Sequence, residues 1–596
     1  MKAILFALTI GASGSIFGQQ EWLGNTTPTN DELIAHLQHL DRKHKEIKLY
    51  KMGPSDYGQP IYLCVINGER DSLITFEKAR NSTTLLINNA IHPGEPDGIN
   101  ACLIWLDQWI RAGKPLKSRD GQDLPVIAFI PAYNVGGMYN RSSTSRANQN
   151  GPEAYGFRGS AKNLDLNRDF TKMDAVNTLT FVKIFQALDP DVFIDNHVSN
   201  GADYPYTLTY ISSMKERLAP SIRTLTYESC LPTIKDYCQI RNFELFPYVE
   251  HKGETPEDGI VAFNDLPRYA MGYASLFHSL SFTVETHMLK PFAQRVQATL
   301  KFMNSTIAYM IGNAAQIEQA RKEAKLWGQQ QAYFRFNYQL DEQNVDSIRF
   351  KGYKAIYPIH PVTGLAQLEY DRSQQYEKYI PYYHHYAPQD SAKVPAFYIV
   401  GAQESQIISF LKLNGVQFQT VETFSKKNVY CQVVKDYKAP TRPYEGHFKL
   451  SKLEVETIEK EIQLKPGDII IPTQQDRALF IHSVLQGEAE DSYLSWNFFD
   501  SYLQQKEYFS SYVFKENVAR ILEENPLLKS KYEARKALDV QFAKSEWDQL
   551  FFIYQNSPYF EQTFMRLPIY LIYWSNESIK KAPSQLGAFL LGLTLV

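Results

Sequence analysis

Four short apolar runs constrain the fold more than anything else in the chain: "TTLLINNAI" (83–91), "LPVIAFIPAYN" (124–134), "DVFIDNHV" (191–198) and "SLSFTVETHM" (279–288). Rich in branched and aromatic residues and short, they read as strands buried in a sheet. The segments between them read as helices. "DGINACLIWLDQWIRAG" sets Ile99, Cys102, Leu103, Leu106 and Ile110 on one face, "MDAVNTLTFVKIFQALDP" is a second helix, and a long helical stretch runs from about Phe292 to Leu326. Ahead of them, "TNDELIAHLQHLDR" repeats Leu33, Leu37 and Leu40 at helical spacing behind a Thr/Asn/Asp cap region. "LYKMGPSDYGQPIYLCVI" follows as two strands around a tight turn. Strands alternating with helices predict an α/β domain, a mixed, largely parallel sheet flanked by helices.

The chain has 596 residues, too many for one core. After about residue 327 the pattern shifts to short strand-like runs such as "FRFNYQL", "AFYIVG" and "DIIIPT", with helices such as "ESQIISFLKLNG" between some of them. The expected organisation is a signal peptide over 1–18, the α/β domain over 19–326, and a β-rich or mixed accessory region over 327–596. "MKAILFALTIGASGSIFGQQ" has the lysine, apolar run and small residues of a secretory leader, which predicts export to the periplasm or the medium. No later run approaches the roughly 18 apolar residues of a membrane span. The terminal "LGAFLLGLTLV" reads as a packed strand. Lys and Arg total 62 against 65 Asp and Glu, which excludes the global positive field of a nucleic-acid or anionic-lipid binder. The five cysteines form no CxxC pair; Cys230 and Cys238 could bridge in an oxidising compartment.

In α/β sheets ligands bind beyond the carboxyl ends of the strands, and there these runs turn polar. The first runs into His92-Pro-Gly-Glu95, the third ends near His197, and the last carries Glu285 in an otherwise uncharged strand. His-x-x-Glu arises about once by chance in a chain with thirteen histidines, so its spacing alone leaves two readings. Glu95 can be a first-turn carboxylate on a helix start with His92 a loop residue, or the pair can be half of a metal site. His197 alone reads equally as a core histidine. Glu285 is costly to bury unless paired or employed; His287, two residues on, supports it. Between these runs, "YGFRGSAKNLDLNRDF" (155–170) gathers Arg158, Asn163, Asp165, Asn167, Arg168 and Asp169. Arginines beside amides suit a carboxylate ligand, and the plain alternative is a salt-bridged surface loop.

Taken in order, His-Pro-Gly-Glu, Asn-x-Asp-x-Asn-Arg, a strand-end His and a late "VET" glutamate resemble the zinc metallocarboxypeptidases of the carboxypeptidase A type, over about residues 27–320. The resemblance implies one zinc ion held by His92, Glu95 and His197, with Glu285 as general base. It implies that Asn167 and Arg168 hold the free carboxylate of a peptide substrate. Asp165 would orient a histidine ligand, and Arg158 would polarise the scissile carbonyl in preference to Arg141 or Arg146. Where the family has a mobile tyrosine some twenty residues before the glutamate, this chain has Phe263, so Tyr269 or Tyr273 is expected to close the site. The expected activity is hydrolysis of the C-terminal peptide bond. The alternatives are a zinc amidohydrolase acting on N-acyl amino acids or muropeptides, and a secreted binding protein without activity. In the C-terminal half, "YYHHY" (382–386) looks metal-like, but adjacent side chains of an extended chain point to opposite faces, so an aromatic surface patch is expected. "DSYLSWNFFDSYLQQKEYF" (491–509) is expected as aromatic core.

Overall fold

The computed structural model describes residues 22–117 and 121–574. The leader over 1–18 and the terminal "LGAFLLGLTLV" lie outside the described residues. The first ten strands are β1 (Ile47–Pro54), β2 (Pro60–Ile66), β3 (Thr84–Asn88), β4 (Val126–Ile130), β5 (Val192–Ser199), β6 (Leu208–Ser212), β7 (Leu245–Pro247), β8 (Glu250–His251), β9 (Ile260–Val261) and β10 (Leu280–His287). Eight of them make one sheet in the order β1-β2-β4-β3-β5-β10-β6-β7. Its centre, β4-β3-β5-β10, is parallel, and antiparallel pairs join β1 to β2, β2 to β4 and β10 to β6. This is the mixed, largely parallel sheet that the alternation of strands and helices predicts.

Strand periodicity sorts the core into two layers. Leu85 and Ile87 of β3 face a cluster that includes residues of the helices Asn30–Lys43, Asp97–Arg111 and Phe292–Gln329, whereas Leu86 faces the opposite cluster with helix Val176–Leu188. The first helix carries the cap its sequence promises. Thr29 and Glu32 exchange the reciprocal bonds of a capping box, and Leu33, Leu37 and Leu40 are buried.

The C-terminal half adds β11 (Tyr333–Leu340), β12 (Asp346–Ile356), β13 (Glu369–Tyr383), β14 (Tyr386–Lys393) and a six-stranded sheet between residues 397 and 572, with helices over 511–555. It is joined to the first half at several levels. The sheet β12-β13-β9-β8 takes strands from both sides of residue 327. The second core cluster runs from Phe181 and Tyr273 through Tyr398, Phe410 and Phe480. Arg268 is held by Asp491 and Glu490, with a 2.9 Å bond to Glu490. The first part of the aromatic segment 491–509 is core, with Tyr493, Trp496 and Phe499 fully buried, whereas Tyr508 near its end is 64% exposed. All five cysteines are buried free thiols, Cys230 and Cys238 included.

Candidate metal centre and active site

The loop after β3 presents His92. Ala90 takes φ +54°, a left-handed conformation alanine rarely adopts, and the carbonyls of Asn89 and Ala90 accept from the amides of Tyr133 and Asn134 at 2.9 and 3.0 Å. Tied to that neighbouring segment, the chain turns through Pro93 and Gly94 into helix Asp97–Arg111. Gly98 sits where a Cβ would lie 2.2 Å from Asn89 Oδ1 and 2.6 Å from Asn196 Nδ2, so only glycine lets the helix start approach β5 this closely. Glu95 does not cap this helix. Its carboxylate meets His92, His197 and Arg146.

His92, Glu95 and His197 are all buried, and one donor atom from each lies within 4.8 Å of the others. His92 Nδ1 is 3.3 Å from Glu95 Oε1 and His197 Nδ1 is 3.1 Å from Glu95 Oε2. The outward nitrogens are both taken by carboxylates, His92 Nε2 by Asp165 at 2.9 Å and His197 Nε2 by Asp195 at 2.8 Å. An imidazole whose outer nitrogen donates to a carboxylate turns the lone pair of its other nitrogen inward, the arrangement found around metal ions. Asp165 is also forked by Arg158 through Nε and Nη2 at 3.0 and 2.8 Å. Burial opposes its charge, yet His92, Arg158 and Arg168 hold its carboxyl well below the usual range. Glu95 behaves alike: burial raises it, and Arg146 with the two histidines pulls it well below the ordinary value.

Glu285 stands on β10 in register with His197 on β5, so the two side chains share a face of the sheet. Its Oε2 is buried without a hydrogen-bond partner, an arrangement rare enough in proteins to call for an explanation. Burial pushes its pKa up to about 7, with Glu95 raising it further against the pull of His197, Arg146 and Arg158. A buried carboxylate poised near neutrality is suited to proton transfer. The donor set and its outer carboxylates fit a divalent metal ion.

These groups open on a cavity of about 400 Å³ that also contains Arg146, Arg158, Asn167, Arg168, Tyr269 and Phe263. Arg168 lies 4.6 Å over the Tyr269 ring, and Asn167 Oδ1 accepts from the amide of Ala270 at 2.9 Å. Arg141 points elsewhere, bonding the carbonyls of Thr27 and Pro28. Arg146, set behind Arg158 in the sequence reading, is as close to the centre: it pairs with Glu95 and donates to the Val198 carbonyl. Tyr273 is not brought to the cavity. It is fully buried in the core and its hydroxyl donates to Asn414 at 2.7 Å, because the helix Ala270–Ser275 turns that face inward. His287 is also outside, stacked on Tyr204 and 3.4 Å from Asp203.

Two participants escaped the sequence reading. Asp195 precedes His197 by two residues, the spacing of one strand face, and that was the available signal. Tyr248 lines the cavity from the end of β7, where burial and the Glu285 charge raise its phenol pKa. A three-residue edge strand leaves no periodicity from which to find it.

No protein-family model matches the sequence, and no curated protein matches it. Among solved structures, the chain is similar to a metallo-carboxypeptidase from Burkholderia cenocepacia, at 18% identity over 49% of this chain and 70% of that one, with TM-score 0.35. It is similar to the carboxypeptidase A of Helicoverpa armigera at 13% identity, over 49% and 75% of the two chains, with TM-score 0.36. A metallo-carboxypeptidase from Pseudomonas aeruginosa gives 13% identity, 48% and 68% coverage and TM-score 0.34. Over about half of its length the chain resembles metallocarboxypeptidases.

Proposed function

We propose that this chain is an exported zinc exopeptidase that hydrolyses the C-terminal peptide bond of peptides. The observation that carries the reading is one cavity holding the His92, Glu95 and His197 donors, Glu285 with its unpartnered Oε2, and the Arg168 guanidinium. Held by His92, Glu95 and His197, zinc would supply the Lewis acidity that makes water nucleophilic near neutral pH and polarises a carbonyl. Glu285 takes a proton from the attacking water at its carboxylate and returns it to the leaving nitrogen. Arg158 donates to the oxygen on which negative charge develops. Arg168, with Asn167 beside it, pairs with the substrate's terminal carboxylate, so the last peptide bond is the one aligned for attack. Asp165 and Asp195 keep the two imidazoles in the tautomer that offers Nδ1.

A panel of peptides, C-terminally amidated peptides, N-acyl amino acids and muropeptides, assayed with and without chelator, tests this. Chelator-sensitive release of free C-terminal residues from peptides is expected. Cleavage confined to N-acyl amino acids or muropeptides would make the protein an amidohydrolase using the same groups. A metal-free protein inert on the whole panel would leave only a binding role.

A further inference from the structure

The two histidines of "YYHHY" form a second constellation that the proposed peptidase does not use. They are the two residues between β13 and β14, where the chain passes from the sheet that holds β12 to the pair formed with β11. Adjacent side chains of an extended chain are expected on opposite faces, yet these two imidazoles converge on one carboxylate. The ring centroids are 4.2 Å apart. His384 Nε2 and His385 Nε2 both meet Asp346 Oδ2, at 2.6 and 3.1 Å, Asp346 being the first residue of β12. One donor atom from each of the three lies within 4.8 Å of the others.

The rings are held before any ligand arrives. His384 stacks on Tyr382 at 4.2 Å with the planes 1° apart, and its side chain is 11% exposed, while that of Asp346 is 56% exposed. The constellation is thus anchored on one side and open to solvent on the other. The outward Nδ1 of His385 lies 4.0 Å from Glu216 Oε1, a carboxylate whose other oxygen is buried without a partner. The outward Nδ1 of His384 is 3.2 Å from Lys215 Nζ.

We propose that Asp346, His384 and His385 are a second metal site, distinct from His92, Glu95 and His197, for a zinc-class transition ion. Two imidazoles and one carboxylate suit zinc, nickel or copper, whereas calcium and magnesium call for more oxygen donors. The site bears on the catalytic cavity. Ala262 donates its amide to the Tyr383 carbonyl at 2.8 Å and accepts from the Tyr386 hydroxyl at 2.7 Å, and the next residue, Phe263, lines that cavity. An ion that ties residues 384–385 to β12 steadies the segment from which this wall hangs.

Zinc content per chain, measured on full-length protein equilibrated with zinc and then gel-filtered, tests the proposal. Wild type should carry two ions, a triple Asp346→Ala, His384→Ala, His385→Ala variant one, and a His92→Ala, His197→Ala variant one. Should the triple variant not fold, Asp346→Asn at the exposed ligand replaces it in the comparison, with zinc affinity at this site falling roughly tenfold or more. Equal content and affinity in wild type and these variants overturns the second site. One ion in wild type that the triple variant loses keeps this site and removes zinc from the catalytic reading. One ion lost only from the His92, His197 variant does the reverse.

Discussion

Glu285 and His197 occupy paired positions on adjacent parallel strands, so a carboxylate lies beside a metal-donor candidate on one face of the sheet. Glu285→Gln keeps the shape and removes the base. Turnover should fall by about 10²- to 10⁴-fold while zinc content is unchanged. A variant that cleaves normally, assayed with its zinc measured in parallel, would refute the assignment.

The same residue predicts a pH dependence in metal-free protein. Its folded pKa, about 7, lies above the ordinary 4.5, so the folded state holds this proton more tightly than the unfolded one. The stabilising effect is fully present below about 4.5 and is lost as pH rises through about 7. Relative to wild type, Glu285→Gln should therefore gain stability between pH 5 and pH 8, by up to ~3 kcal/mol. Denaturant unfolding of both proteins in chelator at the two pH values measures it.

Asp195 holds His197 from behind at 2.8 Å. Asp195→Asn removes the charge and lets the imidazole turn, and zinc affinity should fall roughly 10- to 100-fold. Competition titration against a chromophoric chelator reads the change, and unchanged affinity would reduce Asp195 to a packing role.

Arg168 lines the same cavity, backed by Tyr269. Arg168→Met should lower kcat/KM on peptides with a free terminus by roughly 10- to 100-fold, the worth of a charged hydrogen bond. Activity on amidated peptides should be nearly unaffected. An equal loss on both classes would point to a general structural effect.

Glu445 of the C-terminal half accepts from the amide of Asp165 at 2.8 Å, and Asp165 holds His92. Glu445→Ala should therefore weaken zinc binding although it touches no donor, with a cost of about 1–3 kcal/mol for the orphaned amide. Titration of zinc into this variant, compared with wild type, gives the answer.

The sequence by itself determined the sheet-and-helix pattern and the principal groups of the cavity. Continuous apolar runs can only be buried, and His92, Glu95, His197 and Glu285 stand where those runs turn polar. Periodicity is a local property, so the capped helix at Asn30–Lys43 and the buried strands β3, β4 and β5 were legible too. Tertiary structure decided what depends on contacts between distant residues. It turned Tyr273 into the core, brought Tyr248 and Arg146 to the cavity, and set Glu445 against Asp165 across 280 positions of sequence. It also brought the rings of His384 and His385 together where an extended reading had parted them. Spacing along the chain tells which face a side chain takes, while the direction of the chain at a loop and the neighbour across it are set only when the core closes.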